Sequence, residues 1–160
     1  MVQKCPDPYC SPMNLQAEDA LRVLSVLGFK GRDVYLAELI PAAEMAWADG
    51  EIQPNERAML EAYCETLVER LNQQAGARFF SVARAKALLE RLTQRRLRPA
   101  ERQAALYALK TWSGLALTGA QMRKRMIEWA EAVAAVDGSP VWDTRELFWL
   151  QSLKRNFDAV

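Results

Sequence analysis

Glu56, Glu101 and Glu146 stand at a constant interval of 45 residues (101 − 56 and 146 − 101), each four positions after a large apolar residue: Ile52, Leu97 and Trp142. Around the first two, the chain nearly repeats itself: Ile52-Gln53-Pro54-Asn55-Glu56-Arg57 against Leu97-Arg98-Pro99-Ala100-Glu101-Arg102. Downstream apolar positions keep the register, with Leu60, Ala105 and Leu150 in one set and Leu67, Trp112 and Phe157 in another. Self-similarity at such a period marks stacked helix–loop–helix units, each too small to bury its apolar face alone. Three units in 160 residues are expected to close into a compact bundle rather than extend as a solenoid.

Apolar periodicity between these marks is helical throughout, and β-branched residues are few. Residues 1–13 carry three prolines and no period, so they read as an N-terminal arm preceding a single helical domain over 14–160. A first helix from Asn14 through Leu21, Leu24 and Leu27 should stop at Gly28, and Asp33 is expected to cap a second running through Leu36 and Ile40 towards Trp47. Pro41 inside that run predicts a kink or two abutting segments. Pro54 and Pro99 suit first helical turns. A stripe of Phe79, Val82, Leu89 and Leu92 predicts a helix over 77–92, and Thr118/Gln121 and Asp143/Glu146 have capping-box spacing for two more. The sum is an all-α bundle of about seven helices.

Histidine is absent, which removes Ser–His and Cys–His nucleophile pairs and the usual ligand of catalytic zinc. Cys64 lies on an apolar stripe as a small buried hydrophobe, whereas Cys5 and Cys10 flank a proline-rich segment with too few ligands for a metal site. A net charge of +1 argues against a nucleic-acid binder, and no apolar run reaches the length of a membrane span. With no secretory signal pattern at the start, a cytoplasmic setting is expected.

Ala46-Trp47-Ala48-Asp49-Gly50-Glu51-Ile52 followed by Glu56, after Leu36-Ala37-Glu38-Leu39-Ile40, resembles the TerB-like family, the tellurite-resistance protein B group related to the N-terminal region of DjlA-type co-chaperones. The pattern returns in looser form from Ala134-Ala135-Val136-Asp137-Gly138 to Glu146. The resemblance implies a helical fold of paired pseudo-repeats, a bacterial cytoplasmic or membrane-associated setting, and a part in tellurite or chemical-stress resistance. It also implies acidic metal-binding residues, which here are Asp49, Glu51 and Glu56, with Asp137 and Glu146 in the second copy. The second loop inserts Ser139-Pro140-Val141-Trp142 and has no counterpart of Glu51, and nothing resembles a J-domain.

An EF-hand is excluded, because setting Gly50 at its sixth position places Met45 and Trp47 at the first and third. What remains open is a looser oxygen site for calcium, manganese or magnesium, set against Asp49 fixing the turn and Glu56 capping its helix. Between Glu38 and Glu69 eight acidic residues face Arg57 alone, and from Arg84 to Arg102 seven basic residues face two acidic ones. These read as solvated helix faces, or as an acidic surface and a basic stripe for a partner or anionic lipid. Trp142 and Trp149, with Arg95, Arg96 and Arg98, are the candidate partner contacts. The expected function is a non-enzymatic module acting through protein contacts. The alternatives are a peripheral membrane adaptor using the Arg84–Arg102 stripe and a carboxylate enzyme using Glu51 and Glu56.

Overall fold

The computed structural model describes residues 12–48, 50–115, 119–136 and 144–158, with side chains described over 17–48, 50–114, 119–136, 148–155 and 157. Among the described residues, seven α-helices and one 3-10 helix follow one another: α1 (Pro12–Val26), the 3-10 helix (Gly31–Glu38), α2 (Leu39–Ala46), α3 (Pro54–Ala75), α4 (Val82–Gln94), α5 (Pro99–Leu115), α6 (Gly119–Ala135) and α7 (Thr144–Asp158). No strand occurs among the described residues, so the all-α expectation holds. Cys5, Cys10 and the Thr118 and Asp143 capping positions lie outside them.

The three repeat units are α2–α3, α4–α5 and α6–α7, and their second helices start in step at Pro54, Pro99 and Thr144. Leu60, Ala105 and Leu150 are all buried, as are Tyr63, Ala108 and Leu153 three positions further on. Trp47 at the end of α2 donates its indole N–H to the Leu92 carbonyl at 2.9 Å, 45 residues away, so equivalent positions of the first two units are tied directly. Closure into a bundle comes from α2, which touches α3, α4, α6 and α7 and buries all eight of its residues.

Pro41 explains how α2 begins. In a continuous α-helix it would lack the N–H that should reach Ala37, but in this chain the 3-10 helix ends at Glu38 and Pro41 falls in the first turn of α2. Two abutting segments are therefore the solution, and the eight-residue 3-10 run is long for its kind. Burial of Val34, Leu36, Ala37 and Glu38 holds it. Asp33 does not cap this segment, which opens after Lys30; its carboxylate instead accepts Arg84 Nε at 3.0 Å and Nη2 at 2.8 Å.

Phe79, which the apolar stripe places in a helix core, is instead 54% exposed. The Ser81 hydroxyl accepts the Arg84 N–H at 3.1 Å and starts α4 at Val82. Asn72 of α3 clamps the Phe80 backbone from both sides, donating to its carbonyl and accepting its N–H, each at 2.9 Å. Phe80 is thereby held inward and Phe79 is left outside, with Arg32 5.1 Å over its ring.

The acidic run from Glu38 to Glu69 is not one solvated face either. Glu38 and Glu44 are buried. Arg125 of α6 meets Glu38 with Nε at 3.2 Å and Nη2 at 3.0 Å, and the Tyr63 hydroxyl donates to the same carboxylate at 2.7 Å. Burial opposes the charge on Arg125, but the Glu38 hydrogen bond and charge together raise its pKa. Tyr63 also stacks flat on Trp129, with ring centroids 4.6 Å apart. Burial, reinforced by Glu38, lifts its hydroxyl well above the ordinary range and keeps it a donor.

Removing one member of such a pair leaves a buried charge uncompensated, at about 3–5 kcal/mol. Arg125→Met is expected to lose that much in urea denaturation, and Glu38→Gln combined with Arg125→Met to lose less; a single-variant loss under about 1 kcal/mol would contradict the assignment. Burial also pushes the Cys64 thiol up to about 12. The native protein should therefore resist iodoacetamide at Cys64 in mildly alkaline buffer, with modification by mass mapping appearing only on denaturation.

Candidate functional site

Glu56 and Glu146 open helices and, with Asp49, Glu51 and Asp137, are the candidate metal ligands. Glu56 is buried and its Oε1 accepts the Gln53 backbone N–H at 3.1 Å, the reciprocal half of a capping box at the start of α3. Glu101 does the same at α5, accepting the Arg98 N–H at 3.0 Å. Glu51 is exposed and accepts from Gln53 Nε2 at 3.2 Å. Asp49, Asp137 and the side chain of Glu146 lie outside the described residues, and no cluster of three potential ligands occurs within them.

Glu101 carries more than its cap. Arg95 approaches both of its oxygens at 3.2 Å and Arg98 Nε reaches Oε1 at 3.2 Å. Among the partner candidates, Arg95 and Arg98 are thus committed to α5's own first turn. The same holds along the basic stripe, where Arg84 pairs with Asp33, Lys86 with Glu65 and Arg102 with Glu44.

The other partner candidates come together. A cleft of about 720 Å³ opens between the end of α2, the α4–α5 connection, α5 and α7, and both Arg96 and Trp149 line it. Arg96 Nε and Trp149 Nε1 are buried and have no hydrogen-bond partner among the described residues. Its floor is the Glu44–Arg102 pair, with Arg102 Nε 2.8 Å from Oε2 and its guanidinium 5.8 Å over the Trp149 ring. Burial raises the Glu44 pKa against the charge and hydrogen bond of Arg102 and the charge of Arg96. Lys110 adds a further cation to the wall. Trp142 lies outside the described residues.

Tyr107 and Phe148 complete the rim, 68% and 72% exposed, and neither had been singled out from the sequence. The repeat contains the missing signal. Phe148 occupies the place of Ala58 and Gln103, and Tyr107 that of Ala62 and Ser152. Aromatics thus stand where the sister units carry small or polar residues on an outward face.

Chemically, the cleft offers a net positive wall and exposed rings, and two of its lining residues carry a buried N–H with no partner among the described residues. A buried carboxylate with a raised pKa in a cleft suggests acid–base chemistry. Glu44 is tied to Arg102, however, and no second carboxylate lines the cleft among the described residues.

The Arg95 and Arg98 hydrogen bonds hold the Glu101 carboxyl down at about 2. With the folded value depressed, the stability it contributes is complete above the ordinary carboxylate range and is lost as pH falls through about 2. Acid titration followed by carboxylate NMR should find that low midpoint. Glu101→Gln should flatten the acid limb of the stability curve, and a midpoint near the ordinary 4.5 would refute the cluster.

No family model matches the chain, and neither does a curated protein or a solved structure.

Proposed function

We propose that the chain is a non-enzymatic helical binding module whose α5–α7 cleft takes an acidic, aromatic-bearing segment of a partner protein. The observation that carries this is the pair of buried donors without acceptors, Arg96 Nε and Trp149 Nε1, in the wall of one cleft. Burying an N–H without an acceptor costs about 1–3 kcal/mol, so a carboxylate or carbonyl arriving there recovers free energy. Around them Arg96, Arg102 and Lys110 outweigh Glu44, which favours an acidic visitor. Tyr107 and Phe148 supply the exposed aromatic surface that anchors recurrently use.

The basic stripe supports a membrane adaptor less well, since Arg84, Lys86, Arg95, Arg98 and Arg102 are each paired with a carboxylate. No described helix is long and apolar enough to cross a membrane. The TerB-like motif from Ala46 to Glu56 favours a tellurite or chemical-stress setting for the module.

The test is titration with a short peptide in which glutamates flank a phenylalanine and a leucine, followed through the Trp149 indole N–H signal. Binding should weaken as salt rises. Phe148→Ser or Lys110→Glu should each reduce affinity about tenfold with the melting temperature unchanged. A lysine-bearing version of the peptide that binds equally well, or an indole signal that does not move, would overturn the proposal.

A further inference from the structure

A second cavity, of about 330 Å³, lies at the opposite end of the 3-10/α2 segment from the cleft and is built differently. Its wall includes Glu38 and Arg125, and Tyr35, Phe80 and Trp112 give it aromatic faces. Tyr35 meets Phe80 and Trp112 edge-on, with ring centroids 6.1 and 5.6 Å apart. The Asn72 clamp on the Phe80 backbone fixes one of those faces. Phe79, exposed beneath the Arg32 guanidinium, stands in the same wall with Arg32.

Two residues of this wall carry a buried donor that is unused among the described residues. Glu38 engages Arg125 through Nε and Nη2, which leaves Nη1 buried and without a partner among the described residues, on a side chain only 9% exposed. Trp112 Nε1 is in the same state. A buried guanidinium N–H is among the costlier groups to leave idle. The volume is at the lower end of small-molecule sites, with the usual make-up of apolar walls and few polar groups. Charge narrows the choice further. Arg32 and Arg125 against Glu38 leave one positive charge, which matches a monoanion better than a dianion.

We infer that this cavity binds a small apolar monocarboxylate, an aryl- or branched-chain acid. Its carboxylate accepts from Arg125 Nη1 and Trp112 Nε1, and its apolar body packs between Tyr35 and Phe80. The site is separate from the α5–α7 cleft and stands or falls independently of it.

Phenylacetate is the probe, with phenethyl alcohol as the neutral analogue and phenyl phosphate as the dianion. Phenylacetate should raise the melting temperature and shift the Trp112 indole N–H signal, and should bind at least about tenfold more tightly than the alcohol or the phosphate. Arg125 variants disturb the core, so the decisive substitution is Trp112→Phe, which keeps a ring and deletes the donor. It should reduce phenylacetate affinity about tenfold in calorimetry while leaving the acidic-peptide titration of the other cleft unchanged. Equal affinity for the alcohol, tighter binding of the phosphate, an unmoved Trp112 signal, or undiminished binding by Trp112→Phe would each overturn the assignment.

Discussion

A helix buried on every side that carries a carboxylate near each end is tolerable only if cations are brought to it from other elements. Stripping an ionised group of water costs several kcal/mol, and a hydrogen-bonded counter-ion offsets that only in good geometry. Glu38, where the 3-10 helix passes into α2, obtains Arg125 from α6, and Glu44 in the last turn of α2 obtains Arg102 from α5. Glu44 is the harder case, because a helix C-terminus repels negative charge. The two arginines therefore do more than neutralise: they fix where α5 and α6 stand relative to the central helix.

Both cavities follow from that arrangement. Each lies against one of the buried pairs, and each is lined by two residues that carry a leftover N–H: Trp149 Nε1 and Arg96 Nε with Glu44–Arg102, Trp112 Nε1 and Arg125 Nη1 with Glu38–Arg125. The pairs that organise the core thus also set the polarity of the two spaces around it. Repeat symmetry governs the helix starts instead. Glu56 and Glu101 close the same backbone cap, and their units diverge only in what surrounds it, a buried setting for Glu56 and two arginines for Glu101.

What could be read from the sequence was whatever is decided within a few turns of chain. Pro54 and Pro99 mark true helix starts, and Leu60 and Leu67 of α3 and Leu106 and Leu109 of α5 are buried where periodicity puts them, with Trp112 partly so. The 3-10 helix escaped because Val34, Leu36, Ala37 and Ile40 satisfy an α-helical period as readily as a three-residue one. Phe79 escaped because Asn72, on another helix, decides which of two adjacent phenylalanines turns inward. Glu38 and Glu44 looked like members of an acidic face because their partners lie 87 and 58 positions away, beyond any local pattern. Of the residues that line the α5–α7 cleft, Arg96 and Trp149 are among the candidates the sequence offers. Tyr107 and Phe148 become visible only once the repeats are laid over one another residue by residue.

The spacing of those ion pairs bears on how the chain behaves while it is being made. At roughly 5–20 residues per second, a ribosome that has finished α2 needs several seconds more to reach Arg102 and then Arg125. During that interval the most apolar helix of the bundle has neither its cover nor its counter-ions. Glu38 and Glu44 then act in the opposite sense to their role in the finished fold. Charges bracketing an apolar stretch keep a nascent segment hydrated and slow its association with other chains. Carboxylates that are costly to bury in the completed protein are, for those seconds, what keeps its core helix dispersed.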